Sequence, residues 1–155
     1  MKTREVNRVA VGSALSVLVF CLACQPAPPA DVAGAPEAPR DGLFVHISHG
    51  PQHSHRVLMG LRMAEMMAPD RDVLVYFDVG GVEVVVEGQS VESEGFDSSA
   101  RILERLIEAN VPVYVCPTCL RKAGKTAEDL IAGVQLGEKD RFFEFTRGRI
   151  LSLGY

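Results

Sequence analysis

The chain has 155 residues, 47% of them apolar and 23% charged, with 16 Lys+Arg against 20 Asp+Glu. Those proportions belong to one ordinary globular domain and exclude a disordered chain, a collagen and a polytopic membrane protein. A net charge of −4 without a basic block argues against unaided nucleic-acid binding, which draws much of its affinity from phosphate neutralisation, so no nucleic-acid partner is expected.

Lys2, Arg4 and Arg8 precede an uncharged run from Val9 to Ala23. A basic start and a short apolar run make a secretory signal, too short for a comfortable membrane span. The run ends Cys21-Leu22-Ala23-Cys24, which resembles the lipobox of bacterial lipoproteins, although Cys21 stands where Leu is usual. The resemblance implies a signal peptide over 1–23 and lipidation of Cys24. Gln25, which is not Asp, implies sorting to the outer membrane. The expected location is the cell envelope, on the periplasmic side of the outer membrane, with a lipid anchor. A plain signal-peptidase site and an uncleaved anchor are the competing readings. Residues 24–41 are rich in Pro and Ala and carry five of the nine prolines. Such a stretch cannot offset ordering entropy by burial, so it reads as a semi-rigid tether. Cleavage removes three bases and one acid and leaves a charge of −6. The folded domain is then 42–155.

Within that domain strands and helices alternate. Leu43–Ser48 is a short β-rich run and reads as a strand. His49-Gly50-Pro51 is a turn, with Pro51 suited to a first helical position. Val57, Leu58, Leu61, Ala64 and Met67 recur at helical spacing, predicting a helix over about 52–67. Asp72–Asp78 is a second strand, broken by Gly80-Gly81. Residues 82–95 are ambiguous between a strand at Val84-Val85-Val86, a short helix and an irregular loop. Asp97 or Ser98 is positioned to cap a helix striped by Ile102, Leu103, Leu106 and Ile107, and Asn110 can close it in the left-handed conformation. Val111–Val115 is a third strand. Cys116-Pro117-Thr118-Cys119 follows and opens a short helix. Thr126–Asp129 has the pattern of a capping box. A strand at 134–136, a helix over 139–146 and a strand at 149–153 complete the order.

This alternation predicts an α/β flavodoxin-like three-layer sandwich, with a mostly parallel sheet of about five strands. Ligands of such sheets bind beyond the carboxyl ends of the strands, where the strand order reverses. In a flavodoxin-like order the first and third strands flank that point. The loops His46–His55 and Cys116–Cys119 are then expected to face each other.

Cys116 and Cys119 are the only cysteines of the domain once Cys21 leaves with the signal and Cys24 is acylated. At the start of a helix a thiol is favoured as thiolate and becomes nucleophilic near neutrality. The pair fits a persulfide carrier with a resolving thiol, a dithiol/disulfide switch, soft metal ligands, or an inert structural disulfide.

The order β-GP-α-β-GG-α-β-Cys resembles the DsrE/DsrF-like family of sulfur-relay proteins. The similarity rests on Val113-Tyr114-Val115-Cys116 with Gly124 eight residues later, on Glu128-Asp129-Leu130 leading to Gly133-Val134, and on the terminal Arg149–Leu153 run. It covers most of 43–155. It implies a small flavodoxin-like α/β sandwich assembling into trimers or hexamers. It also implies a catalytic, sulfur-carrying cysteine just after the third strand, at Cys116. Cys119 is an addition seen in some relatives and is read as the resolving thiol. The partners implied are a sulfur donor or acceptor, or a thiol redox protein. No cofactor is required. An export signal departs from the family's well-studied cytoplasmic relays, and an exported copy cannot serve tRNA thiolation.

His46, His49, His53 and His55 lie within ten residues. Clustered imidazoles bind Cu or Zn, so His46 and His49 with the cysteine pair form a second reading, a periplasmic metal-binding module. His46, between Val45 and Ile47, also fits a hydrogen-bonded core residue. Met59, Met63, Met66 and Met67 suit Cu(I) but more often serve as packing. A third reading is an oligomeric scaffold with a structural disulfide. Asp78 reads as a strand-end turn former beside Gly80-Gly81. No nucleotide fingerprint and no GxSxG elbow are present.

Overall fold

The structure, a computed structural model, describes residues 38–155. The signal peptide, the lipidation residue Cys24 and nearly all of the tether lie outside them. Five strands form one sheet: β1 (Gly42–Ile47), β2 (Asp72–Phe77), β3 (Val113–Val115), β4 (Gln135–Leu136) and β5 (Ile150–Gly154), in the order β4-β3-β2-β1-β5. Every ladder is parallel. The helices are α1 (Ser54–Met67), α2 (Ser99–Glu108), α3 (Pro117–Lys122) and α4 (Arg141–Glu144). Among the described residues no helix is long and apolar enough to cross a membrane.

Strand alternation divides the sheet into two unlike faces. Leu43, Val45 and Ile47 of β1, Val73, Val75 and Phe77 of β2, and Val113 and Val115 of β3 point into the main core. There they meet Val57, Leu58, Leu61 and Ala64 of α1 and Ile102, Leu103 and Leu106 of α2. Burying each of the valine, leucine, isoleucine and phenylalanine side chains stabilises the fold by about 1.5–3 kcal/mol relative to exposure. The opposite face carries Phe44, His46, Tyr76 and Tyr114. Phe142 of α4 packs there, edge-on to Phe44 and Tyr76 at ring separations of 6.0 and 4.9 Å.

Most elements lie where periodicity places them, with shifted ends. The first helix begins with a 3-10 turn over Pro51–His53 before α1. The predicted helix over 139–146 shortens to α4. Asn110 is left-handed at φ +59°, and the capping box of Thr126 and Asp129 is formed. Ser98 occupies the N-cap of α2, but its side chain caps nothing. Residues 82–95 are ordered as a 3-10 helix over Val79–Val85, an antiparallel bridge from Val86 to Leu130, and a loop. Val82, Val84, Val85 and Val91 of this segment enter the core, which is why its apolar run fits neither a strand nor an α-helix.

The position of the strand reversal is a correction. The chain steps in one direction from β1 through β2 and β3 to β4, then returns to the far side of β1 as β5. The reversal lies between β1 and β5. The first and third strands do not flank it, because β2 stands between them. Strand order is set by which edges pair, and alternation of elements alone does not specify it.

Candidate functional site

The carboxyl end of the sheet gathers its polar side chains on the aromatic face. His46 is opposite Tyr76 in the β1–β2 ladder, and Tyr76 is opposite Tyr114 in the β2–β3 ladder. Asp78 follows Tyr76 by two residues, as Cys116 follows Tyr114. Cys116 remains extended at φ −64°, ψ 115°, so its side chain continues the alternation of β3. Its N–H donates to the carbonyl of Phe77 at 2.8 Å, which ties the end of β3 to β2.

Cys116 is the N-cap of α3, and its Sγ accepts the N–H of Cys119 at 3.4 Å. Both cysteines are free thiols and partly exposed. Pro117 occupies the first helical position, where the missing N–H costs nothing. Burial is the largest single influence on the Cys116 thiol and opposes ionisation. It is outweighed by the N–H and thiol of Cys119, the Tyr76 hydroxyl and the N–H of Thr118, so Cys116 ionises below the ordinary thiol range. Cys119 behaves oppositely. The N–H of Val79 favours its thiolate, but burial, the neighbouring Cys116 and the charge of Asp78 together push it up. The arrangement yields one thiolate beside one thiol.

Tyr76 is half-buried. Burial first, then the neighbouring Cys116 sulfur, raise its phenol well above the ordinary range, so it stays neutral. His46 Nε2 lies 2.8 Å from Asp78 Oδ1. Both atoms are buried, and neither has an aligned hydrogen bond among the described residues. His46 does not occupy the main core as an alternating position suggests; its ring is 36% exposed on the opposite face.

The turn after β2 holds these groups close. Gly80 N–H donates to Ser48 O, and Gly81 N–H to Asp78 O at 2.7 Å. A Cβ on Gly81 would overlap the Ile47 carbonyl, so the backbones touch where Gly80-Gly81 falls. Val79, just before, has φ +46° and is 68% exposed. A β-branched residue in that region is strained, by about 1–3 kcal/mol, and such strain concentrates at functional sites. Asp78, read from sequence as a turn former, N-caps the 3-10 helix without a side-chain cap and directs its carboxylate to His46 instead.

The sequence clusters therefore meet only in part. Cys116 and Cys119 stand together, and His46 joins their sheet end through Tyr76 and Asp78. His49 packs edge-on to His53 with ring centroids 4.8 Å apart, and His55 packs on Phe96. Among the described residues no three His, Cys, Asp or Glu side chains are grouped to hold a metal ion. Met66 is exposed on α1, while Met67 packs against the core. Tyr76 and the Val79 N–H were missed by sequence reasoning. The available signal was alternation: in Asp72–Phe77 the face opposite Val73, Val75 and Phe77 ends on Tyr76.

Comparison with known proteins agrees with this architecture. The sequence model of the DsrE/DsrF-like family matches residues 41–147. An uncharacterised protein of Methanopyrus kandleri, MK0008, is 30% identical over 104 residues, covering 66% of this chain and 84% of its own length. Among solved structures, the YchN protein of E. coli superposes with a TM-score of 0.59 at 23% identity, covering 75% of this chain and all of that one. MTH1491 of Methanobacterium thermoautotrophicum, a protein of unknown function, superposes with a TM-score of 0.54 at 21% identity, covering 74% of this chain and 99% of its own.

Proposed function

Because the chain belongs to the DsrE/DsrF-like family, we propose that it is a carrier of sulfane sulfur on Cys116, with Cys119 as the resolving thiol. The observation that carries this reading is the unequal pair: the Cys116 sulfur accepts the Cys119 N–H and ionises early, while the adjacent Cys119 thiol ionises late. A nucleophile and a neutral partner thiol at one strand end are what sulfur transfer requires.

In the loading step the Cys116 thiolate attacks the outer sulfur of a donor persulfide, R–S–SH. The donor S–S bond breaks, RS⁻ leaves with the electron pair, and Cys116–S–SH forms. In the resolving step the Cys119 sulfur attacks Cys116 Sγ. The persulfide S–S bond breaks, hydrogen sulfide leaves with the thiol proton, and a Cys116–Cys119 disulfide remains. A partner dithiol returns the pair to two thiols and is itself oxidised to a disulfide.

The same reading places the chain in the cell envelope, exported by residues 1–23 and held by lipid on Cys24, with the domain working as a homo-oligomer. Its support is the basic-then-apolar start, the Cys21–Cys24 run and the Pro/Ala-rich tether. Its partners in that compartment are a sulfur donor or acceptor, the donor a small persulfide or polysulfide, or a thiol redox protein.

The test is intact mass after incubation with inorganic polysulfide. Wild type is expected to gain at least one reductant-labile sulfur atom. Cys116→Ser gains none, and Cys119→Ser retains the sulfur longer than wild type. Undiminished uptake by Cys116→Ser overturns the assignment.

A further inference from the structure

We propose that Tyr76 is a catalytic residue of this site, its phenolic O–H donating to the Cys116 sulfur and to the sulfane sulfur carried there; the second half of that role rests on Cys116 being the carrier.

The sheet itself aims the hydroxyl. Tyr76 pairs with Tyr114 across the β2–β3 ladder, and Cys116 lies two residues beyond Tyr114. Alternation then puts the Tyr76 ring and the Cys116 side chain on one face at one end of the sheet. The Cys116 N–H is bonded to the carbonyl of Phe77, the residue after Tyr76, at 2.8 Å. The spacing is therefore fixed by backbone ladders and not by a free loop.

The ring is also gripped. Phe142 stands edge-on at 4.9 Å and Phe44 lies stacked at 6.2 Å. Gly137, just after β4, leaves room for the ring edge, since a Cβ there would come within 3.0 Å of Tyr76 Cε2. A donor held in place before reaction needs little reorganisation when charge develops on its acceptor. The N–H of Cys119 donates to the same sulfur at 3.4 Å, so the phenol adds a side-chain donor to one from the backbone. After transfer the negative charge of Cys116–S–S⁻ resides on the outer sulfur, and an O–H beside the thiolate is near enough to follow it.

Two readouts test this in a Cys119→Ser background: the pH profile of Cys116 alkylation, and the lifetime of the persulfide loaded from inorganic polysulfide. Tyr76→Phe keeps the packed ring and is expected to move the alkylation inflection up by about one pH unit, slowing alkylation about tenfold at lower pH. It also shortens the persulfide lifetime. Tyr114→Phe, one strand away on the same face, leaves both unchanged. Placing 3-fluorotyrosine, a more acidic phenol, at position 76 moves the inflection down without loss of packing. An unmoved profile in Tyr76→Phe, or an equal shift in Tyr114→Phe, overturns the proposal. If the profile shifts but the parent takes up no sulfur, the carrier reading of Cys116 falls, and the Tyr76–thiolate contact stands.

Discussion

His46 Nε2 and Asp78 Oδ1 meet at 2.8 Å at the carboxyl end of the β1–β2 ladder, next to Tyr76 and the cysteine pair. The carboxylate disfavours a second negative charge on Cys119. Asp78→Asn is expected to lower the Cys119 titration by less than about one pH unit, because solvent reaches the site and weakens the charge–charge interaction. Residue-resolved alkylation followed by mass spectrometry reads this. A Cys119 inflection that does not move shows that the carboxylate does not restrain that thiol.

The two thiols separate by pH. Cys116 lies below the ordinary thiol value of 9.0 and Cys119 above it, so rising pH ionises Cys116 first. Near neutrality a small alkylating reagent is expected to label Cys116 severalfold faster, and the preference shrinks as pH passes the upper value. Equal labelling rates across the range contradict the asymmetry.

Gly81 touches the Ile47 carbonyl where the turn after β2 crosses the end of β1. Gly81→Ala forces these backbones apart and is expected to destabilise the fold by about 1–3 kcal/mol, in the range of other overpacking substitutions. Chemical denaturation measures the loss. It should be accompanied by a shifted alkylation profile of Cys119, because the Val79 N–H and the Asp78 carboxylate, which act on that thiol, move with the turn.

Ser99 is fully buried and binds the Val82–Gly95 region reciprocally. Its Oγ accepts the Val91 N–H at 2.8 Å, and its own N–H donates to Val91 O at 2.9 Å. Ser99→Ala leaves the Val91 N–H without that acceptor, at a cost of about 1–3 kcal/mol. Hydrogen exchange at Val91 should accelerate more than exchange in β1 and β2. A uniform acceleration contradicts a local role.

Asp41 joins the starts of β1 and β5 by accepting from the Arg149 guanidinium at 2.6 Å and from the Arg149 N–H at 3.0 Å. The Arg149 side-chain hydrogen bond is the main reason that its carboxyl is lowered to about 2. A lowered carboxyl contributes stability above its unfolded value near about 4 and loses it as pH falls toward the folded value. The pair is exposed, so the contribution is small. Arg149→Gln is expected to flatten the pH dependence of the denaturation midpoint between pH of about 4 and 2. An unchanged slope assigns that dependence to other carboxylates.

The α/β alternation, the left-handed Asn110, the capping box at Thr126 and the family itself were legible in the sequence. So was the prominence of Cys116. These are local: apolar period, turn chemistry and spacing act within a few residues, and the chain carries them before it folds. The order β4-β3-β2-β1-β5 was not legible, because edge pairing is a choice among distant segments. That choice decided the site. It put β2 between β1 and β3 and so brought Tyr76 and Asp78 beside the cysteines. His46 points onto the sheet face beside Asp78, while His49 and His53 pack on each other and His55 packs on Phe96. A histidine cluster in sequence became three separate surroundings in the fold, because a strand holds its side chains to alternate faces and a turn does not.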